Sequence, residues 1–196
     1  MTTGEIDKSK RRLLTTAATV AGGAAVIATA IPFIKGMLPS ERTKVAGSSV
    51  TADLGKLEMG KQVTLKWRGK PIWILRRTPQ MLENLDRNDL QLRDPLSKVE
   101  SQQPSYVQNP TRSINPEFFV CISLCTHLGC VPNFRPDIHP SDLGDNWLGG
   151  YFCPCHGSRF DLAGRVYKSV PAPANLVIPP HRYINNNSIT IGEDNI

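Results

Sequence analysis

Cys125-Thr126-His127-Leu128-Gly129-Cys130 and, after an intervening loop, Cys153-Pro154-Cys155-His156-Gly157-Ser158 are the stretches on which the reading of this 196-residue chain turns. Together they hold four of its five cysteines and two of its four histidines. That is more than one tetrahedral ion needs, and the surplus points to an iron–sulfur centre. From ligand types alone a structural zinc site, Cys-x-His…Cys-x-x-His, stands beside that reading.

A two-iron cluster with thiolates on one iron and imidazoles on the other needs two Cys and two His. Each motif can give one of each, Cys125 with His127 and Cys153 with His156. Cys130 and Cys155 are then left over, one per motif, on loops that must lie against each other to share a cluster. In an oxidising compartment a disulfide between them would clamp those loops.

With its flanking residues, C-T-H-L-G-C followed by C-P-C-H-G-S resembles the Rieske proteins of cytochrome bc complexes, the ubiquinol–cytochrome c reductase family. The likeness includes Gly149-Gly150-Tyr151-Phe152, Phe160-Asp161-Leu162-Ala163-Gly164-Arg165, Pro171-Ala172-Pro173-Ala174-Asn175-Leu176, the segment Gly69 to Thr78, and Arg93-Asp94-Pro95. It covers nearly the whole chain.

The resemblance implies one [2Fe-2S] cluster per subunit, with Cys125 and Cys153 on the buried iron and His127 and His156 on the outer iron. It implies that His156 contacts the quinol and that Ser158 donates a hydrogen bond to a bridging sulfide. A metal-bound imidazole has its remote nitrogen acidified, so in the oxidised form that nitrogen can accept a hydrogen bond from a quinol hydroxyl. Relatives of high potential carry a tyrosine where this chain has Phe160, which implies a lower potential here. The implied function is electron transfer, with a proton, from ubiquinol to a c-type cytochrome. The implied partners are cytochrome b and a c-type cytochrome in a dimeric complex. The Rieske small subunit of a periplasmic oxidase such as arsenite oxidase is the alternative. The Arg93 to Pro116 insertion and the C-P-C-H-G-S motif favour the bc complex.

The N-terminus agrees with an exported, membrane-held protein. Residues 1–12 contain Arg11-Arg12, the layout of a twin-arginine signal, and Lys8, Lys10 and both arginines place this end in the cytoplasm of a bacterial inner membrane. The uncharged run 13–34, about 22 residues or roughly 33 Å as a helix, is long enough for a hydrocarbon core of about 30 Å. Ala28-Thr29-Ala30 also reads as a small-residue cleavage site, but a signal core of about 7–15 residues is shorter than this run. Residues 35–50 read as a polar linker, and the resemblance implies a hinge around Leu38 to Gly47. Residues 51–196 are then one periplasmic domain, with the cluster-binding part at about 120–180.

That domain reads as all-β. Val63 to Trp67 and Ile72 to Leu75 flank Arg68-Gly69-Lys70-Pro71 as a hairpin, and Phe118 to Ile122 and Ser188 to Ile191 are further strands. A short helix is predicted over Leu82 to Leu90, and an extended surface connection over Asp94 to Pro116. With the family likeness, the expectation is an antiparallel β-sandwich with an inserted cluster-binding subdomain, preceded by one transmembrane helix. The net charge of +6 does not indicate nucleic acid, because no basic run is interleaved with aromatics. Cys121 reads as a small buried strand residue, and His139 and His181 have no companion ligand nearby.

Overall fold

A computed structural model describes residues 7–40 and 47–194 in two units, Met1–Val45 and Ala46–Ile196. Positions 1–6 of the expected cytoplasmic segment and 41–46 of the expected linker lie outside the described residues.

Among its described residues the first unit holds one helix, α1 (Lys8–Met37). The Asp7 carboxylate starts it by accepting the amides of Ser9 and Lys10. Its 30 residues rise about 45 Å, and it is long and apolar enough to cross a membrane. It runs beyond 13–34 at both ends, because Lys8 to Arg12 and Lys35 also take helical backbone. The Thr15, Thr19 and Thr29 hydroxyls donate to carbonyls one turn back, so none needs water. Every described apolar side chain from Leu13 to Ile27 is exposed, a surface that lipid would cover.

The second unit is built on a central three-stranded antiparallel sheet, β2 (Gln62–Trp67), β3 (Lys70–Arg76) and β4 (Phe118–Ile122). The β2–β3 hairpin turns on Arg68 and Gly69, both at positive φ as a two-residue turn of this hand requires. β4 is buried at every position, because the sheet is covered on both faces. Ile72, Ile74, Phe118, Val120 and Ile122 face one cluster of apolar residues, and Trp73, Leu75, Phe119 and Cys121 alternate into the other.

The first face packs on a second sheet, ordered β1 (Val50–Asp53), β9 (Ser188–Ile191), β8 (His181–Asn185), through Ala52, Ile189 and Ile191. The opposite face packs on α2 (Pro79–Arg87) and a third sheet, β5 (Asn133–Arg135), β6 (Gly150–Phe152) and β7 (Arg159–Asp161), which enters the sequence between β4 and β8. Full burial of each large side chain, such as Phe119 or Phe160, contributes roughly 1.5–3 kcal/mol. Gly150 lets β6 approach β7, where a Cβ would collide with the Phe160 carbonyl.

Two expectations need correction. The helix begins at Pro79, not Leu82, because Thr78 caps it through its hydroxyl and proline suits the first helical position. It gives way after Arg87 to a 3₁₀ turn at Asp89–Gln91. The stretch Asp94 to Pro116 lies at the surface over about half of its length, as expected, but it is not simply extended. It contains 3₁₀ turns at Glu100–Gln102 and Ser105–Val107 and buries Ser97, Gln103, Val107, Arg112 and Ser113. Its polar side chains go inside because they find carbonyl partners there: Arg112 alone donates to the oxygens of Ala163, Gly164 and Leu176.

Candidate metal centre

The two motifs fold into loops with the same backbone hydrogen bonds. In the first, Gly129 N–H donates to Cys125 O at 2.9 Å and Cys125 N–H to Cys130 O at 2.8 Å. In the second, Gly157 N–H donates to Cys153 O at 2.9 Å and Cys153 N–H to Ser158 O at 2.8 Å. Gly129 and Gly157 sit at φ +80 and +76, a conformation that glycine adopts without strain. Cys125 and Cys153 thus occupy the same place in two copies of one turn. Ser158 stands where the first loop has Cys130.

Burial sorts the candidate ligands. Cys125 and Cys153 are free thiols, only 3% and 2% exposed, at the edge of the core that contains Tyr151 and Phe160. His127 is half-buried and His156 exposed, with ring centroids 4.7 Å apart and planes nearly perpendicular. Cys130 and Cys155 form a disulfide joining the loops, and both their sulfurs lie within 4.8 Å of the Cys153 sulfur. Paired thiols thus belong to the disulfide and cannot serve as ligands. Closing a separation of 25 residues is worth about 3–4 kcal/mol in the chain-entropy account.

Burial raises the pKa of the Cys153 thiol, while the amides of Cys155 and His156 hydrogen-bond its sulfur and oppose the rise. Two buried thiols below two accessible imidazoles is the donor arrangement that a [2Fe-2S] group with unlike irons requires. A second observation fits such a group. Ser158 is fully buried, and its hydroxyl oxygen accepts from the Ala172 amide at 3.0 Å, which directs the hydroxyl proton elsewhere. An anionic sulfur acceptor would use that proton.

The turn Pro171-Ala172-Pro173 lies against both loops. Ala172 reaches Ser158 of the second, and the Thr126 hydroxyl of the first donates to Ala174 O at 2.6 Å. Behind it, Asp161 and three fully buried arginines hold the strand end and loop 161–165. Arg77 donates to Leu162 O, Arg112 to Ala163 O and Gly164 O, and Arg165 to the Asp161 carboxylate at 2.7 Å. Burial lowers Arg77 and Arg112 to about 10 each, still charged at neutral pH. An arginine can do this where a lysine cannot, because its fork offers several donors in one plane.

Cys121 is wholly buried on β4 and its thiol is pushed up to about 12, an inert core residue. His139 is exposed, and His181 is buried at the start of β8 with Nδ1 2.8 Å from Pro179 O. Neither joins the centre. Sequence reasoning overlooked Thr126 and Arg93, although both stand in segments that carried the family likeness. Their contacts are to residues about 45 to 80 positions away, and no spacing rule reveals them.

A family model described as Rieske [2Fe-2S] domain matches residues 50–180. The chain is 54% identical, over 96% of its length and 91% of the relative's, to the ubiquinol-cytochrome c reductase iron-sulfur subunit of Allochromatium vinosum. It is 37% identical, over 95% of its length and 94% of the relative's, to the subunit of the same name from Blastochloris viridis. Among solved structures, a chain of a hyperthermophilic respiratory Complex III covers 89% of this chain and 98% of its own, at 20% identity and a TM-score of 0.49.

Proposed function

The chain belongs to the Rieske [2Fe-2S] family, and from that premise we propose that it is the iron–sulfur subunit of a quinol–cytochrome c reductase, accepting an electron and a proton from ubiquinol and passing the electron to a c-type cytochrome. The observation that carries this reading is the split in burial across the centre, thiols inside and imidazoles outside. Cys125 and Cys153 are the proposed ligands of the inner iron, and His127 and His156 of the outer one. When bound, the cluster supplies a one-electron redox step.

The chain's own residues supply the rest. His156, the more exposed of the two imidazoles, presents its remote ring nitrogen to accept a hydrogen bond from a quinol hydroxyl and then its proton. Leu128, 71% exposed beside His127, adds apolar surface suited to a quinol site in a partner subunit. The Ser158 hydroxyl would donate to a sulfur of the bound cluster, which would favour the reduced, more negative state. The disulfide supports placement of the domain in an oxidising compartment, the periplasm, with α1 as the single membrane anchor and its arginine pair as an export signal. Cytochromes are the partners, and the complex is proposed to be dimeric.

Purification from membranes tests this directly. The chain should copurify with a cytochrome b and a c-type cytochrome, show a Rieske electron paramagnetic resonance signal, and support inhibitor-sensitive quinol oxidation. Isolation with a molybdenum oxidase instead would move the assignment to the arsenite-oxidase type.

Phe160 bears on the potential. It is completely buried in the core that contains both thiols, and pairs across β6–β7 with Tyr151. A phenol there would bring a donor toward the ligand sulfurs. Phe160→Tyr should raise the midpoint potential in a redox titration of the cluster's circular dichroism, and an unchanged value would remove Phe160 from the tuning residues.

A further inference from the structure

The turn that covers the two ligand loops is held by an arginine outside both motifs. Residues 91–93 run antiparallel to 166–168, with Leu92 bridging Tyr167, Arg93 N–H donating to Val166 O at 2.9 Å and Lys168 N–H to Gln91 O at 2.8 Å. This fixes the Arg93 backbone beside the start of the turn. Its side chain is exposed, yet it donates at both ends of the turn, Nη2 to Val170 O at 3.1 Å and Nη1 to Pro173 O at 3.3 Å.

Between those two carbonyls only one amide can donate, because Pro171 and Pro173 have none. That amide, Ala172 N–H, goes to the Ser158 hydroxyl oxygen. A hydroxyl that accepts from a fixed donor has its own proton confined to the remaining directions. The orientation of the Ser158 proton is therefore set by the position of Ala172, and that position by the fork of Arg93 and the Thr126 hydroxyl on Ala174 O. On the opposite side, buried Asn175 holds Asp94 O at 3.0 Å and Val166 N–H at 2.8 Å, so residue 94 is tied to the same turn through a second side chain.

We infer that Arg93 is a positioning residue for the redox centre: by clamping Val170 O and Pro173 O it holds the Ala172 amide on Ser158 and so aims the Ser158 hydroxyl at a cluster sulfur. This rests on the proposed ligand set. It extends that set to a residue that touches neither substrate nor cofactor. Hydrogen bonds to the sulfurs stabilise the reduced cluster, so loosening the clamp lowers the potential. A guanidinium charge acting through space would also favour reduction, and the two routes separate cleanly. Lysine keeps the charge but cannot span two carbonyls with one fork.

The test uses the full chain in its complex and reads the midpoint potential together with the cluster's resonance line shape. Arg93→Gln and Arg93→Lys should both lower the potential, in the direction of Ser158→Ala and by no more than that variant does. In a Ser158→Ala background neither substitution should shift it further, since coupled residues are non-additive. An unchanged potential in Arg93→Lys, or an equal fall with and without Ser158, would overturn the inference in favour of a charge effect or none. Should Arg93→Gln be isolated without its cluster, the Arg93→Lys cycle carries the same comparison. A normal cluster spectrum with an unmoved potential defeats the clamp alone. Failure of the ligand set would instead appear as a normal spectrum when Cys125 or Cys153 is replaced.

Discussion

His156→Gln is expected to abolish the Rieske resonance signal and quinol oxidation together, leaving a folded, disulfide-linked domain. The side chain is exposed on a loop whose turn is made by backbone bonds between Cys153, Gly157 and Ser158, so the imidazole contributes little to folding. Glutamine has no ring nitrogen to offer a metal, and the site would retain one imidazole against two thiols. Loss of activity should be total within measurement, because a proposed ligand and the proposed quinol contact disappear in one change. Low-temperature resonance spectra of the purified variant decide it. A normal cluster in this protein would mean that His156 is not a ligand, and a normal cluster with lost turnover would leave it as a contact alone.

Asp161→Ala should destabilise the second unit by about 3–5 kcal/mol, the usual consequence of stranding a buried charge. The carboxylate is fully buried and accepts from the amides of Ala163 and Arg165 at 2.9 and 2.7 Å and from Arg165 Nε at 2.7 Å. Its removal leaves the Arg165 guanidinium with only Asp89, whose side chain is half-exposed, and the carbonyls of Leu85 and Pro95. Loop 161–165 carries the Gly164 carbonyl that accepts from Leu176 N–H, just beyond the turn that covers the centre, so cluster retention should fall with stability. Asp161→Asn keeps an acceptor for the two amides and should cost less. Denaturant midpoints of the two variants, with cluster absorbance as the second probe, check the order. Equal stability of Asp161→Ala and the parent chain would show that the buried pair contributes nothing net.

Much of the candidate centre was legible in order along the chain because its proposed ligands come in two short loops, and local spacing determines how Cys and His project from a turn. The hairpin at Arg68-Gly69 and the buried strand Phe118 to Ile122 were legible for a similar reason, since turn residues and apolar runs act over a few positions. The three-residue strands β5, β6 and β7 were not, as segments that short carry no periodicity. For Asp94 to Pro116 the surface reading held only in part, because a polar, proline-bearing composition does not show which of its side chains turn inward. Here Arg112 and Gln103 satisfy carbonyls in the interior, and composition does not say where the acceptors are.

By itself, then, the sequence determined the candidate ligand residues and their two-loop spacing, a helix long and apolar enough to cross a membrane, and the family. The tertiary structure alone decided that Asp161 and three arginines are sealed in the interior next to the two loops, and that Arg93 reaches across to the covering turn. The reason is physical. Ligand spacing and helix length are properties of neighbours in the chain, whereas burial and the pairing of a guanidinium with carbonyls about 80 residues away exist only once the sheets have packed.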